Sequence, residues 1–221
     1  MSDLIRPSRR ALLALGLVLP AAACTGFLPG GGPPPQLFTL TPKSTFDANL
    51  PVVDWQLVVE EPEAAGGLQV QSIALRANAL ELQYFANARW TDRAPRMVQT
   101  LLVESFENSR RIIAVGRQAI GLRSDFNLRT ELREFQAEYE NPDRPPLVRI
   151  RLNAKIVKQP RREIIASDNF EATTRATGTG LSEVVMAFDE SLGKVTRRLV
   201  EWTILSANQA RPAVPRAQQP S

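Results

Sequence analysis

The sequence predicts an α/β fold of the α+β type: a mostly antiparallel mixed sheet covered by two long amphipathic helices, in one compact domain. Three observations predict it. Residues 147–157 alternate Val148, Ile150, Leu152, Ala154 and Ile156 with Arg149, Arg151, Asn153 and Lys155, the period of a strand with one buried face. Leu181, Val185, Phe188, Leu192, Val195, Leu199 and Trp202 recur at helical spacing. A second helical stripe runs through Ala94, Met97, Val98, Leu101, Leu102 and Phe106.

Before the domain, residues 1–23 divide into a basic start, an apolar run from Ala11 to Leu19 and the small residues Ala21, Ala22 and Ala23. This is the three-part plan of an export signal. The run falls short of the roughly 20 apolar residues that a stable span requires, and Pro20 ends it. Cys24 follows directly and is the chain's one cysteine. The segment resembles the bacterial lipobox, with Ala21 where leucine is usual, and that resemblance implies cleavage between Ala23 and Cys24 and a diacylglyceryl and acyl lipid on Cys24. The other reading is a leader with an incidental cysteine. Thr25, in place of the aspartate that resembles an inner-membrane retention signal, points to the outer membrane. Arg9 and Arg10 also match a twin-arginine export motif, although a basic start is common to export leaders.

Residues 24–35 mix glycine with proline and offer almost nothing to bury, so they read as a lipidated flexible tether. The domain is expected over residues 36–206. Its strands are predicted at Gln36–Thr41, Trp55–Val59, Leu68–Leu75 and Leu80–Phe85, with residues 61–67 as a loop. The first helix is expected from Ala94, with Thr91 as N-cap, Asp92 at its positive end and Pro95 in the first turn. A strand at Ile112–Val115 precedes a long antiparallel pair, Asn127–Tyr139 with Leu147–Val157, joined by the proline-rich residues 140–146. Leu128, Thr130 and Leu132 share one parity while Phe135, Ala137 and Tyr139 share the other, which predicts a bulge near Arg133 and Glu134. A strand at Glu163–Thr174 leads to the last helix, Leu181–Ile204, whose Gly193 suggests a close contact. Residues 207–221 read as a disordered tail.

Composition narrows the function. The chain has no histidine and a single cysteine, so the usual soft metal site and a histidine general base are both absent, and no metal ligand set is assigned. Removing residues 1–23 takes three arginines and one aspartate from 27 basic and 23 acidic residues, leaving a net charge of +2. That balance gives little electrostatic case for nucleic acid. There is also no G-x-x-x-x-G-K-[ST] phosphate loop.

Four features together resemble a known family: the lipid-type leader; LFTLTP at Leu37–Pro42; LQYFANARWTDRAPRMVQTLLVESFENS at Leu82–Ser109; and the last helix leading to Val200, Glu201 and Trp202. The chain resembles the auxiliary lipoprotein component of ABC-type transport systems, the group associated with mammalian-cell-entry (MCE) domain proteins and paraquat-inducible operons. The resemblance implies a non-catalytic domain on the periplasmic face of the outer membrane. It also implies an MCE-type partner, with an inner-membrane permease and ATPase, moving phospholipids or other hydrophobic molecules. No cofactor is implied beyond the lipid on Cys24. A periplasmic lipid-binding carrier and a structural envelope lipoprotein are the alternatives.

Trp90, Arg93 and Arg96 are candidate partner contacts, since aromatic and arginine side chains anchor interfaces; local packing of Trp90 and plain exposure of the arginines is the other reading. Met97, Leu101, Phe106 and Trp202 have core spacing. For an enzyme, Asp125, Glu131, Glu134 and Glu138 offer carboxylates, and Ser124 and Asp125 adjoin without a histidine; no catalytic residue is assigned. Arg149, Arg151, Lys155, Lys158, Arg161 and Arg162 form a basic stripe suited to anionic lipid, an acidic partner or plain solvation of a sheet face.

Overall fold

The computed structural model describes residues 34–117, 124–141 and 143–210. Among these, nine strands form one sheet: β1 (Gln36–Phe38), β2 (Val53–Val59), β3 (Glu63–Ala64), β4 (Ser72–Asn78), β5 (Glu81–Trp90), β6 (Ile112–Arg117), β7 (Phe126–Glu138), β8 (Leu147–Lys158) and β9 (Glu163–Arg175). Two helices join it, α1 (Ala94–Ser109) and α2 (Leu181–Gln209). This is the mixed α+β architecture that the alternating and helical periods predict.

The organising strand is β7. One of its edges pairs with β8 from Phe126 beside Lys158 to Glu138 beside Leu147. The other edge is shared by three short parallel partners: β2 at Phe126, β3 at Glu131 and β4 at Ala137. The long pairings, β7 with β8 and β8 with β9, are antiparallel. The β7 register shifts between Leu132 and Glu134, where the parity change predicts it. That bulge turns Phe135 and Ala137 onto the face already held by Leu128 and Leu132, and all four are buried.

Both helices cover this face. The second helix lies over β8 and β9, α1 packs on β6 and β2, and the helices touch each other. The apolar stripe of α2 meets the sheet at an aromatic cluster in which Trp90 stands 5.7 Å from Phe135 and 5.2 Å from Phe188. Met97, Leu101 and Phe106 are core residues, and Trp202 packs on Phe170 at 5.4 Å.

Local departures from expectation have identifiable causes. The third predicted strand starts at Ser72, not Leu68, because Gly66–Leu68 closes a 3-10 turn. A Cβ on Gly67 would meet Leu82 Cδ2 at 2.7 Å, so this turn lies close against β5 and a larger residue would require the Leu82 side chain to shift. The next strand continues past Phe85 to Trp90. Its register jumps from Tyr84 beside Ala74 to Arg89 beside Ser72, and Asn87, at φ 54°, takes the left-handed conformation within the bulge. Thr91 is not the cap of α1: Arg93 holds that position, its N–H donating to Asp92 Oδ1 at 2.7 Å. The Thr91 N–H instead donates to the Phe38 carbonyl and ties β1 to the sheet.

The second helix runs to Gln209 because Ala207 is still fully buried, so the tail does not begin at residue 207; residues 211–221 lie outside the described residues. Gly193 makes no close contact: an added Cβ would meet only Lys43 Cδ, at 3.9 Å. Gly193→Ala is therefore expected to stabilise the domain by up to about 1 kcal/mol, read as a higher urea midpoint.

Candidate functional site

Alternation along β7 and β8 puts one set of side chains into the core and the other on the face without helices. On that face an open trough of about 800 Å³ lies by the first half of β7. Its apolar floor is Val58, Val157 and Ile164, from three different strands. Val58 reaches it because β2 lies beside the start of β7. Val157 and Ile164 are register partners next to a β8–β9 irregularity.

The walls are polar. Glu60 accepts from Asn127 Nδ2 at 2.9 Å and pairs with Arg129 at 3.0 Å. Ser124 Oγ donates to Asn127 Oδ1 at 2.8 Å, which fixes the amide between them. Asn153, largely buried, donates to Asn169 Oδ1 at 3.0 Å. Lys155 and Arg162 also line the trough and carry no ion pair among the described residues. Among the described residues the trough thus offers Lys155, Arg162 and Glu63 without ion pairs, beside the paired Glu60 and Glu131, over an apolar floor.

Further along the same face, arginines and glutamates form cross-strand ion pairs. Arg151 meets Glu134 at 3.0 Å, and Arg149 meets Glu138 at 3.1 Å and also Glu171. Burial alone would lower the Arg149 pKa, but hydrogen bonds and the charges of Glu138 and Glu171 outweigh it and the net shift is upward. The predicted basic stripe therefore divides. Arg149 and Arg151 are neutralised by glutamates, and Lys158 Nζ donates to the Ala210 carbonyl. Lys155, Arg161 and Arg162 remain as solvent-facing charge.

The carboxylates considered for catalysis have the same fate. Glu131 pairs with Arg133 at 2.9 Å, and Asp125 accepts the Gln56 N–H at 2.8 Å. The Ser124 hydroxyl donates to an amide oxygen, not to a base. Among the described residues no group of three or more His, Cys, Asp or Glu side chains is placed to hold a metal ion.

The start of α1 corrects one candidate contact. Trp90 is fully buried, so a partner cannot touch it in this fold; its ring belongs to the aromatic core. Arg93 and Arg96 are about half exposed, pairing with Glu61 and Asp92 at 3.2 Å each. Arg93 thereby reaches the chain segment whose Glu60 and Glu63 line the trough. Arg9, Arg10, Ala23 and Cys24 lie outside the described residues. The trough itself was not legible in sequence, because its parts come from separate strands. The available signal was Asn153 and Val157 interrupting an otherwise charged outward parity.

The family of ABC-type transport auxiliary lipoprotein components matches residues 36–200. The chain belongs to this family. The match spans the sheet and most of α2, nearly all of the described fold, and the family is one of auxiliary transport components. A crystal structure of a DUF330 protein from Xanthomonas campestris is similar, with TM-score 0.74 and 32% identity over 79% of this chain and 97% of that one. An uncharacterized protein of Bradyrhizobium diazoefficiens is 30% identical across 80% of this chain. The chain covers 47% of that relative's length. A second solved structure, of an uncharacterized protein, shares the fold at TM-score 0.62 and 14% identity. Among the described residues no helix of the auxiliary domain is long and apolar enough to cross a membrane.

Proposed function

We propose that this auxiliary lipoprotein is a non-catalytic docking component of an MCE-type ABC transport system, moving phospholipids or other hydrophobic molecules across the periplasm. Lipid on Cys24 holds it to the periplasmic face of the outer membrane, and the trough receives an extended segment of the MCE-type partner. The family match over residues 36–200 carries this reading. The trough supports docking over lipid carriage. It is open and lined largely by charged and amide side chains, whereas a site for acyl chains is a concave and mostly apolar one. A lining that combines apolar Val58, Val157 and Ile164 with Lys155, Arg162 and Glu63 suits a polypeptide with alternating apolar and charged residues.

Docking through the trough depends on its unpaired cations. A Lys155→Glu, Arg162→Glu double variant is expected to reduce recovery of transport components from crosslinked membranes by about tenfold or more. Its circular dichroism and urea midpoint should match the unmodified protein, since neither side chain forms an ion pair among the described residues. Equal recovery from both proteins would remove the trough from the mechanism.

A further inference from the structure

The sheet has two distinct ends. Because β4 and β7 run in parallel, with Leu75 beside Ala137 and Arg76 beside Glu138, the β4–β5 hairpin turns at the end where β7 finishes. The trough lies toward the other end, by Ser124, Asp125 and the β8–β9 turn. The 13 residues of β7 set these ends about 40 Å apart.

The hairpin turn displays an apolar side chain. Leu80 is 99% exposed, more than any other large hydrophobic residue among those described. Its turn is braced: the Leu80 N–H donates to Asn78 Oδ1 at 3.0 Å, and Asn78 Nδ2 donates to Glu81 Oε2 at 3.2 Å. Tight turns favour glycine, asparagine and aspartate, and water gives a leucine held at such a tip no compensation for its apolar surface.

The direction of β1 supplies a second, independent observation. It runs parallel to β5, with Gln36 beside Ala88 and Phe38 beside Trp90. Because β5 leads away from the hairpin tip, the N-terminal end of β1 faces the side of the tip. The twelve residues from Cys24 to Gln36 reach about 40 Å when extended. From the level of Ala88 back to Glu81 is about 23 Å along the strand. The remainder exceeds the several ångströms of one headgroup layer.

We propose that the β4–β5 hairpin is the membrane-facing end of the domain. Leu80 enters the interfacial layer of the bilayer that holds the Cys24 lipid, and the trough is thereby turned away from that membrane. This orientation rests on the acylated Cys24 of the function proposed above. It also makes that function workable, since a trough turned toward the lipid would be closed to a partner arriving from the periplasm.

The single native cysteine makes the test direct. In the mature lipoprotein an acylated Cys24 leaves the thiol of a Leu80→Cys variant as the one site for a spin label; Arg161→Cys places the label by the trough instead. Each full-length protein is reconstituted into phosphatidylethanolamine–phosphatidylglycerol vesicles. Label relaxation by oxygen, which concentrates in lipid, is then compared with relaxation by a water-soluble nickel chelate. The oxygen-to-nickel ratio is expected to be several-fold higher at position 80 than at position 161. Equal ratios in protein that floats with the vesicles would overturn the orientation and leave the anchor standing. If the unsubstituted chain takes label on Cys24 and fails to float, the anchor is overturned and the orientation with it.

Discussion

Trp90→Ala is expected to cost about 3–5 kcal/mol of unfolding free energy, the range for emptying a large aromatic site in a packed core. The indole has no exposed surface and meets both Phe135 and Phe188, so it joins β5, β7 and α2 in one cluster. Its loss would leave a cavity between β5, β7 and α2. Arg93→Ala and Arg96→Ala remove only half-exposed ion pairs and should each cost under about 1 kcal/mol. Urea denaturation of the three variants separates the cases. A Trp90→Ala midpoint close to those of the arginine variants would contradict the packing assigned to the indole.

The second large effect is all-or-none and concerns Cys24. Incorporation of a palmitate analogue into the chain is expected to fall to background in Cys24→Ala, because no other thiol is present to carry a diacylglyceryl thioether. The N-terminus should change as well, since the lipobox resemblance implies that cleavage after Ala23 follows acylation. Two or three acyl chains, at about 0.8 kcal/mol per buried CH₂, hold a protein far more firmly than one. Palmitate labelling and N-terminal mass analysis of the two proteins measure this together. Equal labelling of both would place the lipid elsewhere or show that none is attached at Cys24.

The sequence made the secondary structure legible where one physical pattern dominated. Strand β8 reads directly because Val148 to Ile156 alternate without interruption and every inward side chain is buried. The β7 bulge was visible for the same reason: the apolar residues change parity at Arg133, and only an extra residue can return them to one face. The alternation of β5 is legible only to Phe85 because its continuation depends on Asn87 adopting positive φ, which asparagine tolerates but which the bulge imposes. The start of α1 moved from Thr91 to Arg93 because Pro95 has no N–H to give the Thr91 carbonyl, and the first turn closes instead from the Met97 N–H to the Arg93 carbonyl.

The site was harder to read than the fold. Outward residues of β7 and β8 looked like a solvated face, and the sequence does not say which charges meet. The structure divides them: Arg149 and Arg151 are held by Glu134, Glu138 and Glu171, while Lys155 and Arg162 stay unpaired beside an apolar floor. That division depends on register across three strands, which one-dimensional periodicity does not contain. Trp90 shows the converse failure. An aromatic residue beside two arginines resembled an interface anchor, but its strand parity placed it in the core.

The most direct measurement of the docking role is photo-crosslinking in intact cells from a benzophenone amino acid placed at Ile164, an exposed apolar position of the trough whose replacement leaves Lys155 and Arg162 in place. The expected product joins the chain to a subunit of an ABC transport system, the MCE-type protein first among them. Crosslinks from position 164 that capture other envelope proteins and no transport subunit would contradict it.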